Sequence, residues 1–245
     1  MNTRPIQTPG FTNLMSRGEI IAAVIYLPLH VVGIPLGLGY LSQVWPALAA
    51  MTDTEINLAY YGVGLVYMLV LLRGFLRRSF DAALDAKGNF FVGVAGGYAV
   101  DIGLSFILSS VLLVLSLDLG MAPNNEAILA GAAADRGKLA VMSVVMAPIV
   151  EEPLFRGLLF GCIRPRSRAA AYIVSALLFS LYHVWQFVFI SGDFGLLVYC
   201  LLYLPVSIGL AWAYDRSGSI WAAMLMHGIV NAVSLSVLES GMFGY

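Results

Sequence analysis

The chain has 245 residues, of which 60% are apolar and only 11% are charged. Soluble domains are about half apolar and about a quarter charged, so this composition excludes an ordinary soluble protein. The formal net charge is -1, from 13 Lys and Arg against 14 Asp and Glu, and this balance argues against a nucleic-acid partner. With a mean hydropathy of +0.87, the sequence predicts an all-α polytopic membrane bundle that is embedded in a lipid bilayer.

Seven apolar runs are long enough to cross the bilayer, because about 20 residues of helix span its hydrocarbon. In chain order they lie at about 20–41, 57–76, 90–117, 138–160, 169–190, 194–213 and 219–238. The third run is either one long tilted helix or a short interfacial piece followed by a span, and the second alternative would give eight segments. No repeat or linker divides the sequence, so we expect a single integral membrane domain over residues 1–245.

Positive charge supports this map, because Lys and Arg collect in the cytoplasmic loops of membrane proteins. Ten of the thirteen cations fall in alternate loops: Arg4, Arg17, Arg73, Arg77, Arg78, Lys87, Arg164, Arg166, Arg168 and Arg216. The opposite loops hold only Arg136 and Lys138. This asymmetry predicts a cytoplasmic N-terminus and an external C-terminus. The short loops without organellar targeting features indicate a prokaryotic plasma membrane, with an endoplasmic reticulum membrane as the alternative.

Two adjacent carboxylates and an arginine interrupt the apolar fourth run. A charged side chain inside the hydrocarbon costs about 3 kcal/mol or more, so each is a candidate functional residue. Glu152 and Arg156 stand four apart and can pair on one helix face, whereas Glu151 points about 100° away. Pro148 and Pro153 remove backbone donors beside them, which leaves carbonyls for neighbouring helices or water to satisfy. A small polar cavity would serve all of these groups.

Two further pairs of residues have helical spacing, Phe179 with His183 in the fifth run and His227 with Asn231 in the seventh. Each pair is four apart and therefore on one helix face. Counted from the predicted cytoplasmic ends, Glu151, His183 and His227 lie about 14 to 21 Å deep at a rise of about 1.5 Å per residue. These side chains are therefore predicted to meet near the middle of the membrane.

Each of these groups also has a structural interpretation. A lone intramembrane His or Asn often only links helices, for about 1 kcal/mol or less, and Glu152 with Arg156 could be only a buried pair. The gathering of such groups at similar depth on three helices favours a site. Phe179 is expected to wall the pocket rather than react, and His30 and Asp101 are interpreted as structural.

This set of residues supplies what amide hydrolysis requires: a base for water, donors for the oxyanion and a proton for the leaving amine. Glu151 is the predicted base, since a carboxylate removed from water binds a proton more tightly. His183 can share the water and move protons, while His227 and the amide of Asn231 can donate to the oxyanion. Arg156 would keep its neighbouring carboxylate ionised.

The three motifs together resemble those of the CAAX protease and bacteriocin-processing (CPBP, or Abi) family, which includes the Rce1-type CAAX endopeptidases. They are Glu151-Glu152-Pro-Leu-Phe-Arg156, Phe179-x-x-x-His183 and His227-x-x-x-Asn231. The resemblance covers about residues 138–240, which would be the catalytic core. It implies water activation by Glu151 and His183, an oxyanion site formed by His227 and Asn231, and support from Glu152 and Arg156. The substrate would be a membrane-associated peptide or protein, such as a prenylated CAAX protein, cut near the cytoplasmic leaflet.

We expect no required cofactor, although zinc is an alternative. Zinc takes about three protein ligands, and the sequence has no His-Glu-x-x-His pair on one helix, yet Glu151, His183 and His227 could meet this number in space. Two non-proteolytic alternatives are an ion or proton transporter and a non-catalytic immunity or scaffold protein. Transporters usually show repeated halves and paired broken helices, which the sequence lacks, and intact motifs argue against a scaffold.

Overall fold

The computed structural model describes residues 11–240, which fold into helices without a strand. Five helical segments in this range are long and apolar enough to cross a membrane, and a bent pair of helices would make a sixth. The five are Arg17–Val44, Asp53–Leu71, Lys87–Val114, Phe194–Ser217 and Ile220–Ser240, and the bent pair is Arg168–Tyr182 with Trp185–Ser191. The chain is therefore an integral membrane protein, and the predicted all-α polytopic bundle is confirmed. Arg4, which contributed to the predicted orientation, lies outside the described residues.

The helices are numbered in chain order. They are α1 (Arg17–Pro28), α2 (Ile34–Val44), α3 (Pro46–Ala49), α4 (Asp53–Leu71), α5 (Arg73–Asp85), α6 (Lys87–Val114), α7 (Pro123–Ala140), α8 (Ala147–Glu152), α9 (Gly161–Ile163), α10 (Arg168–Tyr182), α11 (Trp185–Ser191), α12 (Cys200–Ser217) and α13 (Ile220–Ser240). Three π-helical segments, Leu29–Gly33, Val141–Met146 and Pro153–Phe160, and a 3₁₀ segment, Phe194–Tyr199, connect some of them.

Capping boxes fix where the first two spans begin. At α1 the Ser16 side chain accepts a hydrogen bond from the backbone of Glu19, whose carboxylate accepts one from the backbone of Ser16. Thr52 and Glu55 form the same reciprocal pair at the start of α4. Each box satisfies two backbone donors that a helix start leaves without helical partners.

The long third run is one unbroken helix, α6, rather than an interfacial piece followed by a span. It crosses α12 at very short range through facing glycines. A Cβ on Gly97 would lie 2.7 Å from the carbonyl oxygen of Gly209, and a Cβ on Gly209 would lie 2.5 Å from that of Gly97. Small residues allow such close approach, which is how membrane helices gain packing contacts without a hydrophobic driving force.

The fourth predicted run lies in a continuous helical path from α7 to α9 that passes through two π-helical segments. Residues 150–158 of this path are all buried, so other helices rather than lipid surround its charged side chains. The path is not among the apolar spans because its charged side chains are too many for an apolar segment of that length. Two helices were missed: α5, between the second and third runs, and the polar first part of α7 before the fourth run.

Candidate active site

Pro148 changes the hydrogen bonding of the helix that carries the two carboxylates. The backbone N–H of Ala147 donates to Met142, five residues back, as in a π-helix. In that register the carbonyl of Ser143 would need a donor at position 148, and proline has none. The Nδ2 group of Asn231 supplies the donor from α13, at 2.7 Å from the Ser143 carbonyl oxygen. Asn231 therefore links the seventh predicted span to the helix that carries the carboxylates.

Glu152 and Arg156 form a fully buried ion pair, with Nη1 of Arg156 donating to Oε1 of Glu152 at 3.0 Å. The Nη2 group of Arg156 donates to the carbonyl and hydroxyl oxygens of Ser207 on α12, at 3.1 and 2.8 Å. The guanidinium also lies 4.1 Å from the ring centre of Phe179. Arg156 thus pairs with Glu152 and links three helical segments through charge-assisted hydrogen bonds and its contact with Phe179.

His227 lies between the two carboxylates. Its Nδ1 atom is 2.8 Å from Oε1 of Glu152, and its Nε2 atom is 4.0 Å from Oε2 of Glu151. An ionised carboxylate only accepts, so Nδ1 carries the proton that is donated to Glu152, and Nε2 accepts in a neutral imidazole and donates in an imidazolium. His227 can therefore donate to an oxyanion only after Nε2 has taken up a proton, which refines the role that the motif implies.

The two oxygens of Glu151 have different surroundings. The hydroxyl of Tyr61 on α4 donates to Oε1 at 2.6 Å, and the hydroxyl of Tyr182 lies 3.5 Å from the same oxygen. The other oxygen, Oε2, is buried and has no hydrogen-bond partner among the described residues. The carboxylate is thus anchored through one oxygen and free to act through the other.

Sequence reasoning missed the tyrosines, and it treated His30 as purely structural. Tyr182 lies 3.1 Å from Tyr61 and shares a hydrogen bond with Nε2 of His30 at 3.2 Å, so His30 is connected to Glu151 through hydroxyl groups. One signal was available in the sequence: Tyr60 and Tyr61 are adjacent inside the second run, whereas membrane tyrosines are enriched at the interfaces.

His183 lies at a break rather than within a helix. We expected it to share a face of one continuous helix with Phe179, but α10 ends at Tyr182 and α11 is bent away by 43°. The carbonyl of Phe179 accepts from Nδ1 of His183 at 2.9 Å, and the backbone N–H of His183 donates to Ser180 instead. Nε2 of His183 is consequently an acceptor.

A cavity of about 930 Å³ contains most of the predicted site residues in its wall. Glu151, Phe179, His183, His227 and Asn231 all line it, with Glu151 and His227 nearly inaccessible at its buried end. The ion pair between Glu152 and Arg156 does not line the cavity and is buried behind its wall. Across the part of the chain that the structure describes, no direct hydrogen bond joins His183 to Glu151, so any coupling between them requires a bridging molecule.

The alternative zinc site does not fit this geometry. Two ligand atoms at about 2.0–2.1 Å from a tetrahedral zinc lie about 3.3 Å from each other, whereas Nε2 of His227 and Oε2 of Glu151 are 4.0 Å apart, and Nδ1 of His227 is occupied by Glu152. Within residues 11–240, no three His, Cys, Asp or Glu side chains gather closely enough to hold a metal ion. As placed in the described structure, Glu151, His183 and His227 are thus not a preformed zinc ligand set.

Comparison with known proteins places the site within a recognised segment. Residues 137–233 match the model of a family described as type II CAAX prenyl endopeptidase Rce1-like. Over 95 residues the chain is 28% identical to the UPF0177 protein YxdF of Lactococcus lactis subsp. lactis (strain IL1403), and the aligned part is 39% of this chain and 47% of that protein. The chain thus spans about half the length of this relative. No solved structure matches the chain. The match over residues 137–233 contains all three motifs, and it confirms the resemblance to Rce1-like proteins that they predicted.

Proposed function

We propose that this protein is an intramembrane endopeptidase that hydrolyses a peptide bond of a membrane-associated substrate with water activated by Glu151. The observation that carries the proposal is the asymmetric environment of this carboxylate. Oε1 is held by Tyr61, while Oε2 is buried, has no hydrogen-bond partner in the described structure and lies 4.0 Å from Nε2 of His227; the Glu151 residue lines a large cavity. A water molecule about 2.8 Å from both Oε2 of Glu151 and Nε2 of His227 can hydrogen-bond to each of them, because two atoms 4.0 Å apart can share one bridging water.

The proton balance follows from this arrangement. Oε2 of Glu151 takes a proton from the water as the water oxygen attacks the carbonyl carbon of the scissile bond. The tetrahedral intermediate then collapses, its C–N bond breaks, and the proton held by Glu151 passes to the leaving amine. Tyr61 keeps the carboxylate oriented through both steps, because it bonds the oxygen that does not react.

His183 and Asn231 line the same cavity and complete the proposed machinery. The acceptor Nε2 of His183 can orient the water or receive a proton from it. The Nδ2 group of Asn231 has one N–H committed to Ser143, and its second N–H is available to stabilise the oxyanion. His227 joins the oxyanion site once it is protonated, with Glu152 and Arg156 holding its ring in place.

The family match supports CAAX-type endopeptidase chemistry, because it covers all three motifs. The roles of Glu151, His183, His227 and Asn231 rest on their geometry, and hydrolysis is expected to survive a chelator.

The test compares purified wild type with Glu151→Gln and Glu151→Ala in the cleavage of lipidated and unlipidated membrane peptides, with and without chelator. Loss of a general base should lower kcat by about 100-fold or more. Asp81→Asn is the control: it also removes a carboxylate, but Asp81 is exposed and lies outside the cavity, so this variant should retain activity. Equal rates for wild type and both Glu151 variants would contradict the proposal. Full inactivation by chelator, with rescue by zinc, would contradict its metal-free form.

A further inference from the structure

The two ends of the helix bundle carry opposite charge. One end contains the start of α1, helix α5 and the chain around residues 164 and 216. Ion pairs from Arg78 to Glu19, and from Arg164 and Arg168 to Asp215, hold it together. In the described chain this end has nine Lys and Arg against four Asp and Glu. We call it the basic end.

The opposite end contains the starts of α4 and α7, the chain around residue 193 and the end of α13. Lys138 pairs with Glu55 at 3.0 Å, and Arg136 pairs with Glu239 at 2.8 Å, so the last residues of α7 contact the start of α4 and the end of α13. Only these two cations occur here among residues 11–240, against seven acids. The acids are Asp53, Glu55, Asp118, Glu126, Asp135, Asp193 and Glu239. We call it the acidic end.

The cavity opens at the acidic end. Its wall runs from Glu151 and His227 in the interior to exposed residues at the start of α4 and near the end of α13, among them Asp53, Asn57 and Ser234. The first part of α7 covers it on another side. A substrate that reaches Glu151 by this route therefore passes the acidic end.

The positive-inside rule assigns a membrane face to each end. Cytoplasmic loops of membrane proteins carry the excess of Lys and Arg, so the basic end lies in the cytoplasm and the acidic end lies outside. The mouth of the cavity is then extracytoplasmic. This differs from the cytoplasmic leaflet that the family resemblance implied as the place of cleavage.

The lining of the cavity has a charge of its own. It contains Asp53, Asp101 and Glu151, and no Lys or Arg among the described residues that form it. Beside the lining, the carboxylate of Asp135 is paired with the ammonium group of Lys138 at 3.2 Å, so this pair adds no net charge. Such a cavity attracts cations and offers no counter-charge to a carboxylate.

From the position of its mouth and the charge of its wall, we infer that the cavity takes its substrate from the extracytoplasmic side as an extended peptide segment of neutral or positive charge. The inference rests on the proposed function and names the substrate class. The C-terminal carboxylate of a cytoplasmic prenylated protein would be on the opposite membrane face from the mouth and would be repelled by the acidic wall. A basic juxtamembrane segment of an exported or membrane-anchored protein would be on the same face as the mouth and would be attracted by the wall.

The membrane face is tested with single cysteines in cells that express the Cys162→Ala/Cys200→Ala protein. Glu126→Cys places a thiol at the acidic end and Asp81→Cys at the basic end, and both variants replace an exposed acid. A membrane-impermeant maleimide should label Glu126→Cys in intact cells and Asp81→Cys only after permeabilisation. The reverse pattern would overturn the inference.

The charge preference is tested without any substrate. Ser234→Cys places a near-isosteric thiol on the cavity wall. Its rate of reaction is measured separately with the cationic reagent MTSET and the anionic reagent MTSES, which differ mainly in charge. After correction for their rates with a free thiol, the cationic reagent should react at least about 10-fold faster at low ionic strength, and the ratio should shrink with salt. A ratio of one, or a faster anionic reagent, would overturn the charge preference. Asn57→Cys, also on the wall, repeats the measurement if the first variant does not fold.

These experiments are independent of catalysis. If detergent-solubilised wild type cleaves peptides but its mouth labels only from the cytoplasm, the inference fails and the proposed function stands. If labelling is extracytoplasmic but Glu151→Gln leaves all cleavage unchanged, the proposed function fails while the cavity retains the orientation inferred for it.

Discussion

The buried pair between Glu152 and Arg156 makes a strong prediction about stability. Arg156 is completely buried and donates three hydrogen bonds, one to Glu152 and two to Ser207. Replacing Arg156 with Met keeps most of the apolar volume but leaves Glu152 charged, buried and partnered only by His227. Removing one partner of a buried pair costs about 3–5 kcal/mol, which is a large share of a typical total of about 5–15 kcal/mol.

The free energy of unfolding can be measured by far-UV circular dichroism during SDS titration in mixed micelles. Arg168→Met is the matched control, because Arg168 also pairs with a carboxylate but 61% of its side chain is exposed, so its loss should cost less than about 1 kcal/mol. Adding Glu152→Gln to Arg156→Met removes the orphaned charge while keeping an acceptor for His227. The double variant should therefore regain about 2 kcal/mol over the single one. A loss below about 1 kcal/mol for Arg156→Met, or a double variant no more stable than the single, would refute the reasoning.

Two further substitutions test the geometry around the site. Tyr61→Phe removes the hydroxyl that donates to Glu151, and it should lower kcat by about 10-fold or more with little change in KM. The reason is that a hydrogen bond to a charged group contributes about 1.5–3 kcal/mol. Tyr67→Phe is the control: it loses only a hydrogen bond to a backbone carbonyl on α1 and should leave both constants unchanged. Gly228→Ala should lower the free energy of unfolding by about 1–3 kcal/mol, because the added Cβ would lie 2.8 Å from the carbonyl oxygen of Val144 in the facing π segment. Gly103→Ala is the control: a Cβ on Gly103 meets nothing within 4 Å, so this substitution should not destabilise the protein. Equal kcat values for the two tyrosine variants, or equal stability for the two glycine variants, would contradict these explanations.

The parts of this architecture that follow from local spacing could be predicted from the sequence. Each of the seven apolar runs is helical within the described residues, because the length and hydropathy of a run are local properties. The i,i+4 spacing of Glu152 and Arg156 indicated a pair, and the structure has one at 3.0 Å. The helices α5 and α7 were missed because they are too short or too polar to be recognised as spans.

The parts that depend on tertiary contacts could not be predicted. Tyr61 and Glu151 are 90 residues apart, and no local pattern indicates that they touch. His227 and Asn231 share a helix face as expected, yet each has a partner that the spacing did not reveal: Glu152 for His227, and the carbonyl of Ser143 for Asn231. The break after Tyr182 was also missed, because nothing in that apolar run resembles a helix stop.

Two prolines of this chain, Pro35 and Pro148, leave a backbone carbonyl of the preceding turn without a helical donor. Before Pro35, the N–H of Ile34 donates five residues back to Leu29, so the carbonyl of His30 would need a donor at the proline, and the hydroxyl of Tyr60 supplies it at 2.6 Å. The segment before Pro148 has the same arrangement, with Asn231 in place of the tyrosine. In lipid an unpaired carbonyl costs several kcal/mol, so each freed carbonyl requires a polar side chain from another helix. These two prolines thus help to fix which helices face each other. In both places the side chain that donates to the freed carbonyl is close along its own helix to a residue near the proposed catalytic carboxylate: Tyr60 precedes Tyr61, and Asn231 lies one turn after His227.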